Sequence, residues 1–224
     1  MILAIETSTP VCSVALGKPG GAIIEKRIEG RGVHSESTFT FIQELLQNND
    51  LNVQDLEAIL FSNGPGSYTG LRIGAAAIKG LLFGRNVPLY TLSSLLSFSV
   101  PLLSAEKRTI HSVIDARREH LYHQKIERIN SADIHVSIPA VREIEVIKKE
   151  IMSGDVIIGT GWDRLDVKKN ENITFLGKKE ISAKNLIIGW DNESVKAYFK
   201  QQNAESFEPD YLTLSQINNS AIRE

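Results

Sequence analysis

The sequence of 224 residues has one cysteine, no long apolar run and almost no excess of charge of either sign. With Cys12 alone, no intramolecular disulfide can form, as is typical of proteins in a reducing cytosol. No segment approaches the roughly 20 apolar residues that span a membrane, and the first residues lack the pattern of a signal peptide. We therefore expect a cytoplasmic protein without a membrane anchor.

The charge balance limits the class of partner. Lys and Arg number 25 and Asp and Glu 27, which gives a net charge of -2. A free-standing nucleic-acid binder needs clustered basic residues to neutralise phosphates, so this chain is not expected to hold a nucleic acid on its own. Hydrophobic residues make up 42% of the sequence, as in ordinary globular proteins.

The apolar patterns of the two halves follow the same order. In the first half we predict strands at 2–7, 11–16, 22–28, 57–61 and 87–92, and helices at 35–48, 70–84 and 93–103. In the second half we predict strands at 110–115, 121–129, 134–138 and 155–159, and helices at 142–152 and 191–202. The repeated order favours a duplicated α/β fold with an N-terminal lobe (1–105), a C-terminal lobe (106–224) and a ligand cleft between them.

A glycine-rich segment joins the strand at 57–61 to the following helix. Its glycines allow tight turns and close approach to a partner, and N–H groups at a helix N-terminus favour an anion such as phosphate. It lacks the Gly-Lys-Ser/Thr ending of a Walker loop and the GxGxxG spacing. A turn that only starts the helix fits equally well. The candidate phosphate or nucleotide loop consists of Gly64, Pro65, Gly66, Ser67, Tyr68, Thr69 and Gly70.

The same loop carries a family resemblance. Residues 64–72 read GPGSYTGLR and resemble the GPGSFTGLR motif of the TsaB (YeaZ) family. The opening strand ILAIETST, the helix start at His34, the DARR turn at Asp115–Arg118 and the segment Pro209–Leu212 also resemble that family, in the same order. The resemblance implies a two-lobed, duplicated α/β fold of the actin-like ATPase (ASKHA, ribonuclease H-like) superfamily.

The resemblance also implies a function. It indicates a non-catalytic subunit required to form N6-threonylcarbamoyladenosine at position 37 of tRNAs that read codons beginning with A. The implied partners are the catalytic subunit TsaD, the ATPase TsaE, tRNA only through the complex, and a second copy of the chain in isolation. The chain itself would require no cofactor, and ATP or ADP would lie at the interface of the complex.

An enzyme is the alternative: an actin-like ATPase or kinase that uses the loop at 64–70 for phosphate. Three features argue against it. The turn after Glu6 has no glycine, and Pro10 there lacks an N–H donor. His34 with Glu36 offers too few ligands for a metal. HExxH and GxSxG motifs are absent. We therefore expect neither a catalytic residue nor a metal site, and we expect Cys12 to be a core residue rather than a nucleophile.

The helix at 70–84 is rich in glycine, which costs about 1 kcal/mol against alanine inside a helix. Small residues at four-residue spacing allow close packing, either within the chain or against a partner. The resemblance favours a partner, and we expect Gly74→Leu or Gly80→Leu to block pairing in a folded monomer. The predicted partner interface comprises Phe39, Ile42, Leu46, Leu71, Arg72, Gly74, Ala75, Ile78 and Gly80.

Two further groups of candidate residues lie in the second half of the sequence. Arg117 and Arg118, in the DARR turn, can bind tRNA phosphate or a partner carboxylate, and a solvated hairpin turn explains them equally well. His111 and His123 can face each other across neighbouring strands.

Overall fold

The computed structural model describes residues 1–103, 107–130, 132–167 and 172–212. Its first sheet has six strands in the order β12-β5-β4-β1-β2-β3. The first three strands form an antiparallel meander, and β4 and β5 continue the sheet in parallel with β1. The strands are β1 (Ile2–Glu6), β2 (Val11–Gly17), β3 (Ile23–Glu29), β4 (Ala58–Ser62), β5 (Leu89–Leu92) and β12 (Lys200–Gln202).

The second sheet repeats this arrangement. Its main path is β11-β10-β6-β7-β8, and β9 also pairs with β7. Here β6, β7 and β8 form the antiparallel meander, while β10 and β11 are parallel to β6. The predicted duplication of an α/β unit is therefore confirmed. The strands are β6 (Arg108–Asp115), β7 (His120–Arg128), β8 (Ile134–Val136), β9 (Ala140–Glu143), β10 (Val156–Gly159) and β11 (Thr174–Leu176).

The helices cover the first sheet on both faces. Strand β1 is buried throughout, and because strand side chains alternate, Leu3 and Ile5 face one core while Ile2 and Ala4 face another. Helices α1 and α2 cover the Leu3 side, and α3 and α5 lie on the other side, against both sheets. The helices are α1 (His34–Gln47), α2 (Tyr68–Leu82), α3 (Ser94–Ser99), α4 (Ile144–Glu150), α5 (Lys184–Asp191) and α6 (Glu193–Lys196).

The end of the chain differs most from the sequence prediction. The predicted helix at 191–202 is wrong: α5 ends at Asp191, α6 is a single turn, and Lys200–Gln202 pairs with β5 of the first sheet. The open edge of β5 supplies the hydrogen bonds that turn this polar segment into a strand. Residues 184–202 thus return to the first sheet, although we assigned them to the second lobe. The predicted lobe boundary at 105 lies outside the described residues.

A smaller difference concerns the helix predicted at 142–152. It begins only at Ile144, because residues 140–143 pair with β7 as β9. Along the described ranges, no helix is long and apolar enough to cross a membrane.

Candidate functional site

The glycine-rich loop lies where three parts of the chain meet. The peptide between Gly64 and Pro65 is cis. Gly64 has φ +115°, and a Cβ atom at this position would lie 2.4 Å from the carbonyl oxygen of Asp210. A Cβ atom at Gly66 would lie 2.2 Å from the carbonyl oxygen of Ser8. The close approach of the β1–β2 turn and of the C-terminal segment therefore requires glycine at both positions.

Several donors of the loop are engaged within the protein. The Ser67 N–H donates to the Ser8 carbonyl at 2.6 Å. The Gly64 N–H donates to Ser94 Oγ at 3.0 Å, and the Gly70 N–H donates to Ser67 Oγ, the N-cap of α2, at 3.2 Å. Of the predicted loop, Ser67, Tyr68 and Thr69 are at least partly exposed, whereas Gly64, Pro65 and Gly70 are buried. Fewer N–H groups are therefore free for an anion, and the phosphate-binding role stays a prediction.

Glu6, at the end of β1 beside this loop, is fully buried. Its Oε1 accepts hydrogen bonds from the Ser8 N–H and Oγ, each at 2.6 Å, while Oε2 has no partner in the part of the chain that the structure describes. Burial raises the pKa of Glu6 to about 7, against the lowering effect of hydrogen bonds from serine. The carboxyl group is closed off from solvent and from any ligand in the cleft.

A cleft of about 280 Å³ opens next to the loop, between the two sheets. The rings of Tyr68 and Tyr211 lie 4.9 Å apart at one side. The Arg72 guanidinium donates to the Tyr68 hydroxyl at 3.2 Å and lies 5.3 Å from the centre of its ring. The lining residues are Gly66, Tyr68, Ala116, Tyr122, Val141, Tyr211 and Leu212.

Sequence reasoning missed the role of Tyr122 in this cleft. It lies in β7, just after the DARR turn, and its partly buried ring packs against the core between the sheets. The available signal was its position in the strand: Leu121 and His123 point to the opposite face, which leaves Tyr122 facing the first lobe. Only the packing of the lobes brings it to the loop.

The arginines of the DARR turn are exposed at the rim of this cleft, beside Ala116. Arg117 has φ 71° and Arg118 φ 50°, a left-handed conformation that is unfavourable for residues with a side chain. The Asp115 carboxylate holds the turn by accepting the Arg117 N–H at 2.8 Å and by pairing with Arg164. Neither Arg117 nor Arg118 pairs its guanidinium with any described residue.

The predicted partner interface divides into two sets. The first set lies at a groove of about 340 Å³ between α1 and the chain around Leu51 and Leu81. Phe39 projects at its rim with 49% of its surface exposed, and Ile42 and Leu46 line the groove. Arg72 and Gly80 are exposed on α2, and a Cβ atom at Gly80 would meet nothing within 4 Å. Phe39, Arg72 and Gly80 are therefore accessible to a partner, whereas Ile42 and Leu46 are buried and belong to the core beneath the groove.

For the second set, the prediction is wrong. Leu71, Gly74, Ala75 and Ile78 are buried in the core between α2 and the first sheet. A Cβ atom at Gly74 would lie 2.6 Å from Phe61 Cε2 and 2.6 Å from Thr7 Oγ1. The small residues of this ridge let the helix approach β4 and the end of β1. Gly74→Leu would therefore disrupt the fold and not only the pairing.

The structure also reveals a polar chain in the second lobe that runs from two buried histidines to the half-buried Arg142 and Glu150. The predicted meeting of the histidines is confirmed, with His111 Nδ1 3.0 Å from His123 Nε2. The other His111 nitrogen lies 3.2 Å from the Asp155 carboxylate. His123 Nδ1 lies 3.3 Å from Arg142, which donates twice to Glu150. Burial lowers the pKa of both histidines, that of His123 to about 3.

Two remaining candidates lie in the core. His34 is buried at the start of α1, and its Nε2 lies 2.8 Å from the Thr9 carbonyl. Cys12 is buried 3.4 Å from Thr38 Oγ1, and burial raises the pKa of its thiol, which disfavours the reactive thiolate. Over the described ranges, no group of three or more His, Cys, Asp or Glu is placed to hold a metal ion.

The chain is similar to known proteins over most of its length. The family model of TsaD, tRNA N6-adenosine threonylcarbamoyltransferase, matches residues 30–221. The tRNA threonylcarbamoyladenosine biosynthesis protein TsaB of Escherichia coli is 31% identical over 72% of this chain and 71% of its own. That of Haemophilus influenzae is 28% identical over 94% of this chain and 92% of its own.

The fold has a solved counterpart. The structure of YeaZ from Pseudomonas aeruginosa matches with a TM-score of 0.73 at 24% identity, and covers 94% of this chain and 99% of its own. The loop at 64–70, the two sheets of related topology and the extent of these matches agree with one another. The chain belongs to the TsaB (YeaZ) family, within the wider group described by the TsaD model.

Proposed function

We propose that this chain is a non-catalytic subunit for the formation of N6-threonylcarbamoyladenosine at position 37 of tRNA. The observation that carries the proposal is the match to proteins named for tRNA threonylcarbamoyladenosine biosynthesis along most of the chain. In this role it binds a TsaD-type transferase, works together with the ATPase TsaE, and meets tRNA within their complex.

The closed surroundings of the loop support a non-catalytic role. The one acid at the end of β1, Glu6, is sealed from solvent, whereas an acid–base catalyst has to reach the proton that it transfers. The loop donors at Gly64, Ser67 and Gly70 are occupied by groups of the protein. The chain alone therefore requires no cofactor in this proposal, and ATP or ADP binds where the complex completes a site near the loop.

The competing function, an actin-like ATPase or kinase, is tested by ATP turnover of the purified chain. We expect no turnover above background. A rate near 1 s⁻¹, within the usual range of roughly 1–10³ s⁻¹ for enzymes, would contradict the proposal.

The groove beside α1 supports pairing with another chain. Its walls are largely apolar, and Phe39 projects from the rim. An aromatic side chain beside an apolar pocket is a common energetic centre of a protein interface. In isolation, a second copy of the chain can cover the same surface, which gives a homodimer that the transferase replaces.

Reconstitution tests this pairing. The chain is mixed with TsaD, TsaE, the synthetase, ATP, bicarbonate, threonine and tRNA, and modified adenosine is measured. We expect Phe39→Asp to weaken binding to the transferase at least about 10-fold, as for an interface hot spot, and to lower tRNA modification. Tyr198→Asp is the matched control, since Tyr198 is an exposed aromatic just beyond α6, away from the groove. Full modification with a folded Phe39→Asp variant would contradict the groove as the interface.

A further inference from the structure

The proposed function does not use the aromatic cleft or the two arginines of the DARR turn. Three tyrosines from distant parts of the chain line one cleft: Tyr68 from α2, Tyr122 from β7 and Tyr211 from the C-terminal segment. Tyr68 is 58% exposed, so that much of its ring surface is open to a ligand. Aromatic rings exposed beside a groove are the usual platform for stacking unpaired nucleobases.

The rings are held in place before any ligand arrives. Arg72 binds the Tyr68 hydroxyl and lies over the ring. Tyr211 follows Asp210, whose N–H donates to the Asn63 carbonyl at 2.8 Å, and it packs against Tyr68. Tyr122 belongs to a strand that is paired on both sides. A stacking surface fixed in this way loses little conformational entropy when it binds.

Positive charge flanks the cleft on two sides. Arg72 belongs to the first lobe, while Arg117 and Arg118 stand on the hairpin tip of the second. Both arginines directly follow Ala116, which lines the cleft. A left-handed backbone at two successive arginines is strained, and such strain concentrates at functional positions. Positive charges on both rims are better placed to bind the phosphates of a nucleic-acid backbone that crosses the cleft than to bind a single phosphate.

We propose that this cleft stacks one unpaired nucleobase of a single-stranded RNA segment on its tyrosines, with Arg117 and Arg118 on the adjoining phosphates. The inference rests on the proposed function, in which the complex works on tRNA, and adds a direct RNA contact by this chain. The volume of about 280 Å³ is enough for one base and its sugar. The net charge of -2 makes the contact secondary to that of a partner.

The experiment measures RNA binding by fluorescence anisotropy. The probe is a labelled RNA stem-loop whose loop bases are unpaired, and the protein is the full chain, alone and in complex with the transferase. We expect Tyr122→Leu and Tyr211→Leu to weaken binding about 10-fold, as is usual for the loss of one stacked base. Tyr122→Phe, which keeps the ring, should bind like the parent. Tyr198→Leu is the control for an exposed tyrosine outside the cleft.

The arginines are tested by salt dependence. Replacing both, by Arg117→Gln and Arg118→Gln, should reduce the slope of log affinity against log salt by about 0.7 for each phosphate that is no longer neutralised. Lys149→Gln, at an exposed cation on α4 outside the cleft and the groove, should leave the slope unchanged.

Three outcomes would overturn the proposal: unchanged affinity in the tyrosine variants, equal binding of a fully paired duplex, or competition by AMP at the concentration of the RNA. Failure of the chain to pair with the transferase would instead count against the proposed function, since RNA binding by the chain alone is measured separately.

Discussion

The two sheets share one strand order, yet they are covered differently. The first sheet carries α1 of 14 residues and α2 of 15 residues on one face, and a large apolar cluster packs beneath them. Among the described residues, the second sheet has one α-helix in the corresponding place, α4 of seven residues. Its core includes Asp155 and both histidines, and the polar chain continues from them to the half-buried Arg142 and Glu150.

The difference shows how two copies of one structural unit can differ in the surface and the core that they build. Long helices give the first lobe an outer face large enough for a groove and a partner, and their close approach depends on small residues. The second lobe has a smaller apolar cluster on this face, and hydrogen-bonded side chains lie beside it. Buried polar groups are tolerated when all of them find partners. The lobes should therefore respond differently to added volume and to pH.

A larger side chain in the core should destabilise the first lobe more than the second. Gly74→Leu places atoms against Phe61 and Thr7, where a Cβ atom alone already lies 2.6 Å away. We expect the free energy of unfolding to fall by about 3 kcal/mol or more, measured by urea denaturation. Gly80→Leu is the matched control, since its site is open and a helix gains about 1 kcal/mol when glycine is replaced. A Gly74→Leu variant as stable as the parent would contradict this packing.

Glu6 should make the first lobe less stable as pH rises. Its pKa is raised from 4.5 to about 7, so the folded chain binds more protons than the unfolded chain between those values. Stability from this group is complete below pH 4.5 and is lost as pH rises through 7. Glu6→Gln should therefore raise the unfolding free energy at pH 8 by on the order of 3 kcal/mol and change it little at pH 4.5. Glu36→Gln, at an exposed site, should have no such effect.

The histidines should give the second lobe the opposite dependence. The pKa of His123 is lowered by burial and by neighbouring positive charge, from 6.5 to about 3, so the unfolded chain binds more protons in this range. This stability is complete above pH 6.5 and is lost as pH falls toward 3. His123→Gln, which retains a donor and an acceptor, should reduce the fall in unfolding free energy below pH 4.5, where Glu6 contributes little to the slope, measured by urea denaturation at a series of pH values. His135→Gln, which removes an exposed pair with Glu127, should change the profile much less, because solvent screens that pair.

Measured together, Glu6→Gln and His123→Gln test whether the stabilities of the two lobes depend on pH in opposite directions. Between pH 4.5 and 6.5 the two effects oppose each other, so the parent chain should show a flatter profile than either variant. If Glu6→Gln and His123→Gln shifted the profile in the same direction, the assignment of opposite electrostatics to the two lobes would be wrong.

Much of the fold was predictable because local patterns decide it. The apolar runs of β1, β4 and β10 are typical of strands buried on both faces, and Ser67 before α2 is a regular N-cap. The order of these elements was enough to predict a duplication. Lys200–Gln202 was not predictable, since a polar segment becomes a strand only when a neighbouring edge offers hydrogen bonds.

The candidate site also has parts that the sequence predicts and parts that only the tertiary structure shows. The sequence by itself determined the glycine loop, the turn that carries the two arginines and the family resemblance, because short motifs of neighbouring residues carry all three. Only the tertiary structure decided that Gly74 packs inward while Gly80 faces solvent, and that Tyr122 meets Tyr68 and Tyr211. The physical reason is that burial and contact depend on which surfaces pack together. Those surfaces are formed by residues that are far apart in the chain.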